Sequence, residues 1–532
     1  MKGILAKTCQ VCYNRGSMKP TGWWLAIGMA GAALAVYSAT LAPGLTFMHN
    51  GADGGDLIAA ARTLGVPHPS GYPTYTLLAW LATHLPVGTI AYRVNLLSAL
   101  CASLAAGLTC LCAQIVLTGS RHRLALSAAT ALTLAFSSLL WSQAVIAEVY
   151  ALLTLFAALL LWLVLSWRAG GGDAWLWLSG LTLGVGLGNH LTLFFIVPAV
   201  LVLLWPERRR WLRAGVLIPT VVLFLAGLSV YVYLPLAAAH QSPVNWGDPQ
   251  SWDRFWWVVS GEPYRPNVLG LRLNEIPGRI TTWATLLGDQ FGWWGLVLVV
   301  AGAWSWRQDA SGAPSLSGRH LAAAFLVSGL LSGLYTFFYA TTDSYVYLSP
   351  LLLPLALAWG IGADNLLRLA RRIGPAWQRA ALAAILLLPL GSLAMHWRAA
   401  DLSDDRTVDI ARQQVLDTAA PGALIVAQGD WRTFSLWYSL YAEEQRPDLA
   451  VVNGPLLAYS WYRDQLRRLY PDLAVPEPAD GSEPADELVR EMIAGSLAHR
   501  VVYATDPPEA WYAWFWFLKE ESAPLYRAEI PD

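Results

Sequence analysis

Residues 151–167 read ALLTLFAALLLWLVLSW, a run without a single charge that closes at Arg168. A helix needs about 20 such residues to cross the hydrocarbon core of a bilayer, and one that is apolar on every side has no face to offer water. The same reading recurs near residues 22–41, 91–118, 124–141, 174–189, 191–206, 213–236, 290–306, 320–340, 345–367 and 377–397. The sequence therefore predicts an α-helical polytopic membrane protein with about 11 transmembrane helices. Of the 532 residues, 56% are hydrophobic and 13% charged, which excludes a soluble enzyme of this size. The first segment is too long for a signal-peptide core and lacks a clear processing site, so it reads as a retained anchor after a leader, residues 1–21.

The formal charge of -1 conceals a division at Trp397. Residues 1–397 carry a net +10 and residues 398–532 a net -11, so a sparsely charged membrane body precedes an acidic soluble tail. With no basic tract in that tail, nucleic acid is not an expected partner. With the N-terminus inside, internal segments collect 17 basic residues against six outside, which gives a cytoplasmic leader and an external tail after an odd number of spans. Nine of the 13 acidic residues of the body then fall outside: Asp53, Asp56, Glu148, Asp248, Asp253, Glu262, Glu275, Asp289 and Asp343. Spans nearly free of charge, with no evident internal repeat, argue against an ion-coupled transporter and put any chemistry at the outer face. The Pro-bounded stretch 73–86 is too short to span and reads as a helix on or in the outer face.

The five cysteines imply no disulfide framework, since three lie in one apolar stretch and the tail has none. Cys9 and Cys12 form a lone CxxC, for which incidental thiols are a simpler account than zinc. In the tail, residues 423–427, 449–452 and 500–503 read as strands and 433–444 and 461–469 as helices, which makes a small α/β domain. Residues 471–487 read as a solvated loop rich in Pro, Asp and Glu.

Four constellations can carry chemistry. Asp53 and Asp56 stand among glycines where a helix starts, and orphan N–H groups there hold a carboxylate ionised; either accepts a proton from an attacking hydroxyl or binds a metal. The plain alternative is a helix cap. Glu148 and Tyr150 lie at the outer end of a span, with a lipid-headgroup anchor as the alternative. Asn189 and His190 occupy a very short turn, where His190 donates to a phosphate or sugar hydroxyl or the pair simply stabilises the turn. The longest external loop of the body holds Asn245, Trp246, Asp248, Arg254, Trp256, Trp257, Glu262, Tyr264 and Arg265. Aromatics beside carboxylates and Arg suit stacking on a sugar and pairing with phosphate, although an interfacial helix over residues 251–259 with Trp anchors is the simpler account of each Trp taken singly.

Six motifs occur in an order that resembles a known family: Gly51-Ala52-Asp53-Gly54-Gly55-Asp56-Leu57, the segment from His68 to Leu77, Tyr92-Arg93-Val94-Asn95-Leu96-Leu97-Ser98, Ala147-Glu148-Val149-Tyr150-Ala151, Gly188-Asn189-His190 and Asn245-Trp246-Gly247-Asp248-Pro249. It is a multi-pass family related to the protein O-mannosyltransferases, and it includes a vertebrate transmembrane O-mannosyltransferase of plexin-type receptors. The tail segment Gly429-Asp430-Trp431 to Asn453 resembles the region just after the membrane body in many bacterial members.

The resemblance implies the glycosyltransferase C fold, a polyprenyl-phosphate sugar donor with its headgroup at the outer face, and an acid of the first external loop, here Asp53 or Asp56, as general base. It also implies that Asp343 to Pro350, with Tyr345, borders the donor pocket, and it draws Arg93 into the substrate-binding set. The expected reaction is inverting transfer of a sugar, with mannose the candidate, to a hydroxyl of a protein or glycan. Tyr72, Tyr75 and Trp246 would shape the pocket; His68, His190, Arg254, Arg265 or a divalent metal would meet the leaving phosphate. No cofactor is fixed by the sequence, and Mg2+ or Mn2+ at Asp53 and Asp56 is the candidate ion. The rival classes are a transporter or flippase of lipid-linked sugars and a non-catalytic envelope assembly protein. Four Lys against 31 Arg fits a GC-rich bacterial genome, hence an inner-membrane protein with a periplasmic tail.

Overall fold

The computed structural model describes residues 20–305, 318–478 and 484–530; Cys9 and Cys12 lie outside the described residues. Among these residues nine helices are long and apolar enough to cross a membrane: Pro20–Ala39, Ile90–Val116, Tyr150–Arg168, Leu191–Trp211, Ala214–Ala239, Leu273–Ser305, His320–Phe338, Ser344–Ile373 and Pro375–Ala400. The chain is an integral membrane protein of helical architecture. The expectation of eleven uniform spans needs two corrections. The segment near 124–141 is a pair of helices, Arg123–Ala135 and Ser138–Ala144, bent by 65°. The segment near 174–189 is the 14-residue helix Ala174–Leu187, about 21 Å long and short of the roughly 30 Å hydrocarbon core.

A bend frees backbone groups that lipid cannot satisfy, and neighbouring helices supply the partners. Tyr37 Oη donates to the carbonyl of Ala135 at 2.7 Å. His396 Nδ1 and Ser392 Oγ donate to that of Phe136 at 2.7 and 2.9 Å. The N–H of Leu139 donates to Gln290 Oε1 at 2.9 Å.

The short helix nevertheless joins opposite ends of the bundle. At one end Arg210 pairs with Asp173 at 2.6 Å and lies over the Trp167 ring; at the other, Asn189 Nδ2 donates to the carbonyl of Val149 at 3.1 Å. Loops alternate accordingly. Residues 119–122, 169–173 and 205–213 lie at an arginine-rich basic end, where Ser120 meets Asp364. Residues 40–89, 145–149, 188–190, 240–272 and 339–343 meet at the site end, tied by Ala42 to Val145, Val66 to Val244, Thr74 to Gly188 and Ala340 to Asn267.

The tail continues from Pro375–Ala400 at the site end, where the N–H of Leu402 donates to the carbonyl of Thr40. Strands β1 (Leu424–Ala427), β2 (Ala450–Asn453), β3 (Val502–Thr505), β4 (Trp516–Lys519) and β5 (Tyr526–Glu529) form one sheet in the order β2-β1-β3-β5-β4. The first three are parallel and wholly buried, as a sheet covered by helices requires; β4 and β5 add an antiparallel edge. The α/β expectation holds, but helix Thr407–Thr418 and the two edge strands had no reading in the sequence, and helix Ala485–Leu497 starts within residues 471–487, read as a loop, of which 479–483 lie outside the described residues.

The tail is seated on the body through a glycine. Gly55 lies so near the helix Asp430–Trp437 that a Cβ added there would stand 2.3 Å from the carbonyl oxygen of Phe434. Tyr438 Oη accepts the N–H of Ala91 at 3.2 Å, and the Trp246 and Trp461 rings meet at 5.8 Å. Gly55→Ala is expected to push the two helices apart and lower stability by roughly 1–3 kcal/mol, measured by thermal unfolding in detergent. An unchanged midpoint would show that the tail docks without that contact.

Candidate active site

Asp56 sits in the first turn of helix Gly54–Arg62 and is completely buried. A carboxylate in such surroundings needs several donors, and Asp56 has three. Its Oδ2 accepts the backbone N–H of His68 at 2.9 Å and Nδ1–H of the same residue at 2.8 Å. Its Oδ1 accepts Trp246 Nε1–H at 3.0 Å. The carboxylate thus pins two loops to the helix rather than capping it.

The far side of the His68 ring belongs to Asp53. His68 Nε2 stands 3.6 Å from Asp53 Oδ2, and the Asp53 side chain is 41% exposed, whereas that of Asp56 is fully enclosed. Asp53 is the N-cap residue but makes no side-chain cap hydrogen bond, so the capping alternative fails for it too. Burial alone would lower the His68 pKa; the charges of Asp53 and Asp56 outweigh that and push it up to about 9. One side of the Asp53 carboxyl is open, but the protein packed around the rest removes enough water to hold it above its usual range, with His68 opposing and Asp430, Asp56 and Asp343 reinforcing. The result is a line of groups, Asp56, His68 and Asp53, that runs from the interior to an accessible oxygen.

Around this line stand the motif residues of the next loops. Glu148 is buried, its Oε1 has no hydrogen-bond partner among the described residues, and burial drives its carboxyl well above the usual range. Burial, with the nearby charge of His68, lowers His190 to about 4, so its ring is neutral at neutral pH. The Thr192 N–H donates to His190 Nδ1 at 3.2 Å, which places the proton on Nε2 and makes that atom a donor. Tyr72 stacks against His190 at 5.9 Å and meets His68 edge-on at 5.1 Å. Tyr150 and Tyr347 pack on His190 at 5.6 and 5.5 Å, and Tyr347 continues to Tyr335 at 6.1 Å. Burial raises the Tyr264 pKa well above its usual value, and the charges of Asp53 and Asp430 reinforce it.

Other expected substrate contacts are buried or engaged elsewhere in the protein. Trp246 is 5% exposed and holds Asp56, so it is no open stacking platform. Tyr75 is buried in its helix, and Asn189 joins its turn to residue 149. Arg93 spends its guanidinium on the carbonyls of Thr83, Val87 and Gly88. Asp248 accepts from Asn245, Gln250 and Arg254, and so braces its own loop. Arg254 and Arg265 are already paired, with Asp248 at 2.7 Å and Glu262 at 2.6 Å. Tyr345 Oη accepts from Asn50 at 2.8 Å and borders a cavity of about 760 Å³ with Ser142, Thr282 and Thr285.

Three residues at the site end had no place among the sequence candidates. Phe434 of the tail stacks on His68 at 6.3 Å, and Asp430 is near enough for His68 and Asp56 to affect its raised pKa. Arg279 donates to Ser344 Oγ at 2.5 Å and the carbonyl of Thr341 at 3.0 Å, with no acidic partner among the described residues. The Gly429-Asp430-Trp431 motif was the signal for the first two; Arg279 carried none beyond its charge. A metal between Asp53 and Asp56 does not fit this arrangement, because the oxygens of Asp56 are already occupied by N–H donors. Among the described residues no group of three or more His, Cys, Asp or Glu is placed to hold an ion.

Comparison with known proteins adds a family to this geometry. Residues 53–212 match the family described as protein O-mannosyl-transferase TMEM260 N-terminal domain, and residues 407–482 match TMEM260-associated domain 2. The chain resembles the TMEM260-type protein O-mannosyl-transferases in both body and tail. The mouse protein O-mannosyl-transferase TMEM260 is 28% identical over 498 residues, 85% of this chain and 66% of the mouse protein. The Dictyostelium discoideum protein O-mannosyl-transferase tmem260 is 24% identical over 479 residues, 80% of this chain and 57% of its own. The chain thus spans less than two thirds of these relatives. Among solved structures, ArnT from Cupriavidus metallidurans bound to undecaprenyl phosphate superposes with a TM-score of 0.61 at 12% identity, covering 96% of this chain and 98% of ArnT. The fold is of the glycosyltransferase C type, as the TMEM260-like motifs imply.

Because the His68 pKa is raised in the folded protein, its pairing stabilises fully below the unfolded value of 6.5 and is lost as pH rises through about 9. The unfolding free energy is expected to fall across that window by up to about 3 kcal/mol, and His68→Gln to flatten the fall. Parallel pH profiles for parent and variant would remove the ion-pair reading.

Proposed function

We propose that this protein is a membrane glycosyltransferase that moves a sugar, with mannose the first candidate, from a polyprenyl-phosphate donor to a hydroxyl of a protein or glycan, inverting the anomeric carbon. The observation that carries the reading is the carboxylate of Asp53, open to the surface beside a His68 that Asp56 fixes in place. Its raised pKa makes it a stronger base than a free carboxylate. The acceptor oxygen bonds to the anomeric carbon as the carbon–phosphate-oxygen bond breaks, and Asp53 Oδ takes the hydroxyl proton. The departing polyprenyl phosphate gains a negative charge. Arg279 and the Nε2–H of His190 are the donors proposed to meet it, with the protonated His68 supplying charge nearby.

The aromatic wall from Tyr72 through Tyr347 to Tyr335 leads from these donors to helix His320–Phe338. That helix borders an apolar cavity of about 520 Å³ lined by Val299, Phe325, Leu330, Leu351 and Leu355, suited to a prenyl chain. The undecaprenyl phosphate named with ArnT, which shares the fold, supports this donor class, and the O-mannosyl-transferase relatives support the sugar and a protein acceptor. The cavity beside Tyr345 is the approach proposed for the acceptor. The basic end is assigned to the cytoplasm with the N-terminus, and the site end and tail to the periplasm of a bacterial inner membrane.

Purified protein in detergent, given radiolabelled polyprenyl-phosphate mannose and a membrane extract, is expected to move label into product. Asp53→Asn should cut the rate by about 10²- to 10⁴-fold while donor binding survives, and Arg279→Ala should weaken donor binding first. Donor binding without transfer from any of several polyprenyl-phosphate sugars would overturn the transferase and leave carriage of lipid-linked sugar.

A further inference from the structure

The basic end, opposite Asp53, contains a cavity of about 640 Å³ walled by Ser120, Arg121, His122, Arg368, Arg371 and Arg372. Among the described residues Asp364 is the one acid in its wall; it accepts from Ser120 Oγ at 2.5 Å and pairs with Arg368 at 2.7 Å. That acid is therefore spent. Gln378, also in the wall, faces His122 Nε2 at 3.2 Å. The side chains of Arg121, Arg371 and Arg372 have no hydrogen bond, ion pair or ring contact among the described residues. Three guanidinium groups facing one concave space repel one another until an anion joins them.

Two ordinary accounts explain part of this. Positive charge at this end fits the rule for cytoplasmic loops, and Arg371 and Arg372 end the helix Leu352–Ile373, where cations suit the dipole. Neither requires a cavity, and neither brings Arg121, from a different loop, to the same space. The neighbours of the wall supply the second observation. Leu369, Ile373 and Trp377, each next in sequence to a wall residue, Arg368, Arg372 and Gln378, are 56%, 65% and 62% exposed, and the last is a Trp of the kind found at headgroup level. A soluble anion has no use for exposed apolar neighbours, whereas a lipid lays its chains on them and its phosphate in the cavity.

We infer that this cavity binds the phosphate of an anionic lipid headgroup in the leaflet at the basic end. Arg forks match phosphate oxygens in pairs, and Gln378 and Ser120 lie within the same wall to meet the remaining polar groups of the headgroup. The site is separate from the proposed transfer site and does not depend on it.

The test uses the full chain in nanodiscs of phosphatidylcholine doped with phosphatidylglycerol, with bound lipid counted by native mass spectrometry. Arg121→Gln/Arg371→Gln/Arg372→Gln is expected to lower phosphatidylglycerol affinity about a hundredfold, and Arg372→Gln alone about fivefold, if each Arg adds its usual share beside an anionic headgroup. Arg208→Gln/Arg209→Gln/Arg213→Gln removes the same charge at the same end but outside the cavity, and is expected to change affinity little. Equal losses in both triple variants would reduce the cavity to a diffuse basic belt and overturn the proposal. If the cavity triple variant does not fold, the single variant decides: an unchanged affinity overturns the site. In a parallel arm, inorganic phosphate is titrated into protein in undoped nanodiscs. Binding that the cavity variants abolish, without phosphatidylglycerol binding, would transfer the site to a soluble anion and overturn the lipid assignment.

Discussion

A carboxyl group enclosed by apolar helices needs donors for both of its oxygens, and at the site end that demand falls on Asp56. Its partners come from residue 68 and residue 246, two loops far apart in the chain. Satisfying Asp56 therefore sets the position of the histidine loop against the helix Gly54–Arg62 and of the tryptophan loop against both. The Val66 to Val244 and Trp246 to Val66 backbone bonds reinforce that placement. Once His68 is fixed and charged, Asp53 has a cation beside it and an open side toward solvent. The division between an acid that builds and an acid free to react follows from burial alone.

The tail belongs to the same construction. Phe434 covers the His68 ring and Asp430 faces the same charges, so the sheet domain closes one side of the site instead of hanging from it. Gly55 allows this by removing the side chain that would hold the helix Asp430–Trp437 away. The two TMEM260-like segments, residues 53–212 and 407–482, meet at this surface.

The helical class and the site end were legible in sequence because lipid imposes long apolar runs and because Gly-Gly-Asp, His-Pro-Ser-Gly-Tyr and Asn-His are conspicuous between them. The bend after Ala135 was not, since its cause lies in Tyr37, Gln290, Ser392 and His396, none of them local. The 14-residue helix Ala174–Leu187 is as apolar as a true span, so only its length distinguishes it. Trp246 and Arg254 illustrate a limit of residue type: an indole or guanidinium suited to sugar or phosphate is equally suited to a neighbouring carboxylate, and the chain offered both a carboxylate. Strand β4 was hidden because Phe517 alone among its residues is buried, which leaves no alternation to read.

The bent pair also has a consequence for assembly. Its freed carbonyls and N–H are met by side chains from residues 37, 290, 392 and 396. At about 5–20 residues per second, the ribosome delivers His396 tens of seconds after the bend itself has emerged. During that interval Phe136 and Leu139 must borrow water or translocon groups for their backbone. This bent segment is thus slow to settle, and the helix Pro375–Ala400, by arriving, locks it.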